Sequence, residues 1–314
     1  MTKQPHYLVT GGAGFIGSHL AQALVRDGCR VRVLDNLSGG SLDNLAEISS
    51  AIEFVEGDVR NPEVVRDAAL GIDGIFHLAA LVSVPRSLEY PEESFSNNIA
   101  GSFNVFEAAR LSDNIPVVFA SSAAVYGDND ALPLSEDATL KPLTPYACDK
   151  VYAETLAATY AESYGLPSTG LRFFNVYGER QDPASSYSGV ISIFIDRMLQ
   201  GEPLQVYGDG EQSRDFVYAG DVADAMVRAM QCSTLGFSRF NVGSGTRITI
   251  NELIELLGRL QGKSAEVRYL EPRSGDIVHS QADISAIFSA IDWRPKTSND
   301  TGLARLMAWM NDAI

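Results

Sequence analysis

Cysteine is scarce in this chain: 314 residues hold three, Cys29, Cys148 and Cys232. The number is odd, the spacing wide, and no CxxC pair occurs. Neither a disulfide framework nor a cysteine zinc site is supported, and a reducing compartment, the cytoplasm, fits best. The four histidines (His6, His19, His77, His279) show no HExxH or other ligand spacing, so no metal is expected. Positive charge is also in short supply, 24 Lys and Arg against 40 Asp and Glu, a net charge of -16. An acidic surface repels phosphate backbones and anionic lipid, which leaves nucleic acid and membranes outside the expected partners. Small anionic ligands stay open, because they answer to the local field of a cleft and to helix N-termini. Two tryptophans and scattered tyrosines without basic interleaving exclude a stacking platform for single strands. No apolar run approaches the roughly eighteen residues of a membrane-spanning helix. The opening MTKQPHYLVTGG reads as a buried strand entering a glycine turn, not as a signal peptide. Repeats, low-complexity tracts and charged tails are absent.

What is present is an ordinary globular composition, 45% hydrophobic and 20% charged, enough to bury a full core in one large or two closely joined domains. Before about residue 175, apolar runs alternate with amphipathic stretches. Strands are expected at 6–10, 31–35, 52–58, 74–79, 116–122 and 166–174, with helices at 15–27, 62–70, 92–111 and 146–164. Such alternation implies a parallel sheet covered on both faces, and right-handed crossovers make it doubly wound. After that point Gly and Pro rise, strands shorten, and helices are expected near 190–200, 220–231 and 250–261. The fold expected is α/β. Residues 1–174 form a nucleotide-binding domain, and 175–314 are mainly a smaller α+β substrate-binding region, some of whose segments are free to return to the first domain. A ligand belongs in the crevice outside the carboxyl ends of the strands.

The run Gly11-Gly12-Ala13-Gly14-Phe15-Ile16-Gly17 is by itself only a tight strand-to-helix turn. Its context is more specific. A strand precedes it, an amphipathic helix follows, and Asp35 ends the next strand 18 residues after Gly17. That is the dinucleotide arrangement: glycines let the backbone approach a pyrophosphate, which rests on the positive end of the helix. Asp35 can accept from both ribose hydroxyls and repels a 2′-phosphate. No Arg follows it directly, so NAD is expected rather than NADP.

Tyr146 and Lys150, four residues apart, share one helical face behind Pro145 and lie 24 and 28 residues after Ser122. A tyrosine acts as a base near neutral pH only if its pKa of about 10 falls. A nearby ammonium stabilises the phenolate, and a cationic nicotinamide ring adds to the effect. Ser122 could then bridge between Tyr146 and a substrate hydroxyl. Taken alone, Ser121 and Ser122 read as the satisfied hydroxyls of a strand end.

With these motifs the chain resembles the extended short-chain dehydrogenase/reductase family over nearly its whole length. The match rests on TGGAGFIGSHL, DNLSGG, GDV, HLAA, NNIAGSFNV, SSAAVYG, YACDK, LRFFNVYG, GDGEQSRDFVY, DVADA and RSGDIVHS. Within the family it is most similar to the NAD-dependent UDP-sugar 4-epimerases. The resemblance implies a Rossmann-type domain, a UDP-sugar substrate, and a homodimer formed through a helical bundle. It implies cofactor contacts at Gly11, Gly14, Phe15, Ile16, Gly17, Asp35, Asn36, Asp58, Val59, Leu78, Ala79, Ala80, Asn98, Ser121, Tyr146 and Lys150. It implies catalysis by Tyr146, Lys150 and Ser122. Substrate contacts are implied at Ser83, Ser122, Tyr146, Asn175, Val190, Gln205, Tyr207, Arg214, Arg273, Asp276 and Ser280. Arg214 and Arg273 are forked cations suited to a diphosphate, and an ionised Asp276 suits ribose hydroxyls.

In family terms, dehydratases and decarboxylases carry acidic groups between the catalytic hydroxyl and the Tyr-Gly pair. Here that stretch is Ser122-Ala123-Ala124-Val125-Tyr126-Gly127, which leaves hydride transfer with one base. Ala124 departs from the hydroxyl residue that many epimerases carry there. Ser280 matches the family's gate beside the sugar, where a small residue admits an N-acetyl group. The expected reaction is UDP-GlcNAc/UDP-GalNAc interconversion, with UDP-Glc/UDP-Gal as secondary substrates. The alternatives are a UDP-uronate 4-epimerase or another NAD-dependent nucleotide-sugar oxidoreductase, and more distantly a non-catalytic nucleotide sensor.

Overall fold

The computed structural model describes residues 4–182, 189–233, 236–272 and 277–312. Six apolar stretches before residue 175 and one after it form a seven-stranded sheet. The strands are β1 (His6–Thr10), β2 (Arg30–Asp35), β3 (Ile52–Glu56), β4 (Gly74–His77), β5 (Val117–Ser122), β6 (Ser168–Phe173) and β7 (Phe237–Val242). Every neighbouring pair is parallel, in the order β7-β6-β5-β4-β1-β2-β3. The order reverses between β1 and β4, which opens the crevice where α/β sheets bind ligands. The expected doubly wound fold is the one observed.

The helices used below are α1 (Phe15–Arg26), α2 (Pro62–Ala68), α3 (Gly101–Leu111), α4 (Pro145–Tyr164), α5 (Val190–Gln200), α6 (Ala219–Gln231), α7 (Ile250–Gln261), α8 (Ser285–Ile291) and α9 (Asn299–Asp312). Successive strand side chains point to opposite faces. Leu8, Leu34, Ile75, Val117 and Phe119 therefore share a core with Val65 of α2, Val105 and Phe106 of α3, and Ala153 and Ala157 of α4. Val9, Val33, Phe76, Val118 and Leu171 pack on the other side with Leu20 and Leu24 of α1 and Val222 and Met226 of α6. Ile287 of α8 and the fully buried Trp293 complete that second layer. Segments 219–231, 237–242 and 285–293 thus serve the main sheet, although they follow residue 175 in the chain.

The stretch expected as one helix over 92–111 is helical throughout but not uniform. Phe95–Ala100 is wound as a π-helix between Pro91–Ser94 and α3. Such turns often mark functional sites. The winding directs Asn98 inward: its Oδ1 accepts from Leu81 N at 2.7 Å, and its Nδ2 donates to Leu81 O at 3.0 Å. Helix α4 is capped at both ends. Thr144 accepts from Ala147 N, Pro145 fills the first turn, and Gly165 takes the left-handed conformation at φ 71°.

The remaining residues form a second core above the carboxyl ends of β5 and β6. Ile191 and Phe194 of α5, Leu253 and Leu257 of α7, and Leu303 and Leu306 of α9 close on Leu204 and Phe216. Three two-stranded sheets edge it, pairing Asn175–Tyr177 with Phe216–Tyr218, Ser213–Arg214 with Ile248–Thr249, and Leu204–Tyr207 with Val267–Leu270. Among the described residues no helix is long and apolar enough to cross a membrane.

Candidate active site

The turn after β1 is built by contact. Gly11 has φ +71°, and a Cβ there would lie 2.6 Å from Ala79 N. A Cβ at Gly17 would fall on the Gly11 carbonyl and 2.8 Å from Gly12 Cα. Glycine is therefore required at both, and the backbone at the head of α1 stays bare. Gly14 is the N-cap and offers no side chain to the first-turn N–H groups. Those donors, with the helix dipole, form a cradle for an anion. Phe15, Ile16 and Gly17 make that first turn.

Asp35 ends β2 beside the cradle and is largely buried. Its Oδ2 accepts from Ala13 N at 2.9 Å and its Oδ1 from Leu37 N at 2.8 Å. Burial pushes its carboxyl pKa up, against those two hydrogen bonds. Next to it, Asn36 Nδ2 donates to Asp58 Oδ2 at 2.9 Å. Asp58 is held at about 2, chiefly by the Arg60 side chain. Leu78 N bonds Thr10 O, and Ala79 N bonds the Thr10 hydroxyl, so Leu78, Ala79 and Ala80 leave β4 against the turn. Val59 and Asn98 are buried alongside. The residues that follow β1, β2, β3 and β4 thus flank the switch point. A bare-backbone cradle with an acidic side chain at the end of the neighbouring strand fits a dinucleotide.

A cavity of about 530 Å³ opens beside this region. Tyr146 and Ser122 line it, and Ala123 and Ala124 continue the wall. Lys150 is buried one turn below, with its Nζ 5.6 Å from the Tyr146 ring centre. The ammonium donates to Ala120 O at 2.9 Å. Burial lowers Lys150 to about 8, opposed by the charge of Asp149. Ser122 accepts from Ala124 N at 3.2 Å, which orients its hydroxyl.

At Tyr146 the chain's own groups act in opposite directions. Burial dominates and raises the phenol, the Ser122 hydroxyl pulls it down, and the Asp149 carboxylate raises it again. Lys150 spends a hydrogen bond on the Ala120 carbonyl and does not offset the loss of solvent.

Farther along the same cavity lie Asn175, Val190, Gln205, Tyr207, Arg214 and Ser280. Asn175 donates through both its N–H and its amide Nδ2 to Asp215 O, at 3.0 and 3.2 Å. Arg214 Nη1 donates to Ser213 O and Val278 O. Arg214 is the one Lys or Arg, and no Asp or Glu occurs, among the described residues lining the cavity. Ser83 is placed differently. Its neighbours Val82 and Val84 line the cavity, whereas Ser83 is buried and its hydroxyl caps the helix Val84–Glu89 by accepting from Arg86 N. Arg273 and Asp276 lie outside the described residues.

One feature escaped the sequence reading. The Ser121 hydroxyl donates to Glu154, which forms a two-pronged ion pair with Arg172 at 2.8 and 2.6 Å. Arg172 also donates to the Tyr126 hydroxyl, which donates to Asn241. Both members of the pair are buried. Breaking such a pair by removing one partner costs several kcal/mol, roughly 3–5. The signal was available: Glu154 sits one turn beyond Lys150 on the same face, and Arg172 interrupts the apolar strand LRFF.

The chain matches the model of the NAD dependent epimerase/dehydratase family over residues 7–243. It is 38% identical over 307 residues to a putative UDP-glucose 4-epimerase of Methanocaldococcus jannaschii, covering 97% of this chain and 98% of that protein. Its structure superposes with a TM-score of 0.95 on the UDP-N-acetylglucosamine 4-epimerase of Methanobrevibacter ruminantium in complex with UDP-N-acetylmuramic acid, at 38% identity and 100% of both chains. For the UDP-glucose 4-epimerase of Thermus thermophilus in complex with NAD, the TM-score is 0.90 at 36% identity, covering 98% of this chain and 100% of that one.

Proposed function

We propose that this chain, which belongs to the NAD-dependent epimerase/dehydratase family, is a UDP-sugar 4-epimerase whose preferred pair is UDP-GlcNAc and UDP-GalNAc. The observation that carries the reaction class is the cavity wall. Tyr146 and Ser122 are continued by Ala123 and Ala124, and no described carboxylate lines the cavity. One proton-transfer group suits reversible oxidation at a single carbon, whereas dehydration or decarboxylation needs a second. The glycine cradle and Asp35 would hold NAD, which would supply a reversible hydride acceptor and a cationic ring that favours ionisation of Tyr146. Tyr146 takes the O4 proton, with the Ser122 hydroxyl bridging, and returns it to O4 once the sugar has turned its other face to the hydride donor. Lys150 holds the Ala120 carbonyl below the phenol and keeps a positive charge there. Arg214, Asn175, Gln205 and Tyr207, with Arg273 and Asp276, anchor the UDP so that the 4-keto sugar can turn about its phosphate link. Residues 1–174 mainly hold NAD and the proton-transfer group, and 175–314 mainly hold the UDP-sugar. The enzyme works in the cytoplasm as a homodimer.

The sugar preference rests on Ser280 and its surroundings. Its side chain is small where a tyrosine ring would fill the space, and Val82, Val84 and Leu134 give the cavity an apolar patch suited to an acetamido methyl. A uronate would call for cations near its carboxylate, and the described lining offers Arg214 as its one Lys or Arg, with His279 beside Ser280. The test is turnover of UDP-GlcNAc, UDP-GalNAc, UDP-Glc, UDP-Gal and UDP-glucuronate, resolved by chromatography. Acetamido epimers are expected in largest yield, and Ser280→Tyr should lose them while UDP-Gal turnover persists. Turnover of the plain hexoses alone would remove the argument from Ser280.

A further inference from the structure

Asp215 is the most enclosed acidic residue among the described residues, with 0% of its surface exposed. Its four hydrogen-bond donors are three backbone N–H groups and one hydroxyl. Oδ1 accepts from Ser244 N at 2.6 Å and from Ser244 Oγ at 2.7 Å. Oδ2 accepts from Gly245 N at 3.1 Å and from Ala282 N at 3.0 Å. Burial raises its pKa to about 6 in spite of these donors. Gly243 makes room for it, since a Cβ there would lie 2.8 Å from Asp215 Oδ2. A carboxylate buried at such cost calls for an account of what it holds.

It holds the substrate end of the cavity. The residue before it is Arg214. Its own carbonyl accepts both the N–H and the side-chain amide of Asn175. The segment it binds at Ala282 passes through Ser280, whose N–H donates to Ser213 O at 3.1 Å. We propose that Asp215 is a positioning residue for the nucleotide-sugar site, one buried carboxylate that fixes the relative placement of the segments carrying Asn175, Arg214 and Ser280. Asp215 does not line the cavity and acts only through those neighbours. The inference rests on the reading of Arg214 and Asn175 as the UDP anchor.

Asp215→Asn keeps the shape and replaces one acceptor oxygen by a donor. Whichever way the amide turns, two backbone N–H groups or the Ser244 pair meet an NH2 group, and the knot loosens. Tyr146, Ser122 and Lys150 stand on β5 and α4, apart from it. The expected result is a rise of about tenfold in KM for the UDP-sugar and in Kd for UDP measured by calorimetry, with kcat within about twofold and NAD content unchanged. Ser244→Ala, which removes one of the four donors, should raise both constants by about two- to threefold. It carries the test if Asp215→Asn does not fold. Unchanged KM and Kd in the folded variants, or a fall in kcat with KM constant, would overturn the proposal. Arg214→Ala separates the two readings. If it weakens UDP binding while the Asp215 and Ser244 variants do not, positioning alone fails. If Arg214→Ala also leaves UDP binding intact, the anchor reading fails first.

Discussion

Tyr146 stands between opposing influences: burial and Asp149 keep its proton on, and the Ser122 hydroxyl draws it off. Tyr146→Phe keeps the ring and removes the proton-transfer group. Activity should fall by about two to four orders of magnitude while NAD and UDP binding persist. Near-normal turnover in steady-state assays would remove Tyr146 from the mechanism. At this scale the site was largely legible, because the chemistry fixes residue types at short spacings: the glycine turn, Asp35 closing the next strand, and Tyr146 with Lys150. Asp215 was not. Inside RDFVY an acidic residue beside an arginine reads as a surface pair, and only the fold shows that it turns inward to three backbone N–H groups.

The elements that hold the site depend on close backbone approach. Strand β1 and helix α1 meet at Gly11 and Gly17, where one added methyl collides with main chain rather than with a movable side chain. Gly17→Ala should therefore spread the turn, and the purified protein should contain little NAD on extraction, with a lower Tm. Full NAD content in that variant would contradict the cradle. Strand and helix positions were readable from periodicity, since each strand of the first half is a compact apolar run. The π-winding at Phe95–Ala100 was not, because it goes with contacts of Asn98 to Leu81 and Asp149, which are distant in the chain. Strand β7 was hidden for a related reason. As an edge strand with one exposed stretch, FSRFNV lacks the continuous apolar run of a central strand.

For the whole molecule, the sheet brings Tyr146, Ser122 and the glycine turn to its carboxyl rim, and residues of the second core line a cavity with Tyr146 and Ser122. The outer face of the helical layer is not closed in the same way. Phe95 and Phe103 on the 91–111 run are 57% and 44% exposed, and Tyr90 just before them and Tyr164 at the end of α4 are also exposed. Exposed aromatics gathered on two long helical runs favour a second copy of the chain. Sedimentation at micromolar concentration should show a dimer, and Phe103→Asp should shift it toward monomer. A monomeric wild type at that concentration would contradict the helical-bundle interface.

At the same scale, the proposed reaction inverts a single carbon, whose hydrogen passes to NAD and back. The most direct measurement uses UDP-GlcNAc carrying deuterium at C4, incubated with the purified enzyme and no added NAD. The expected product is UDP-GalNAc that retains the deuterium at C4, with no accumulation of reduced nicotinamide. Loss of the label to solvent, or a net keto product with NADH rising in step, would contradict it.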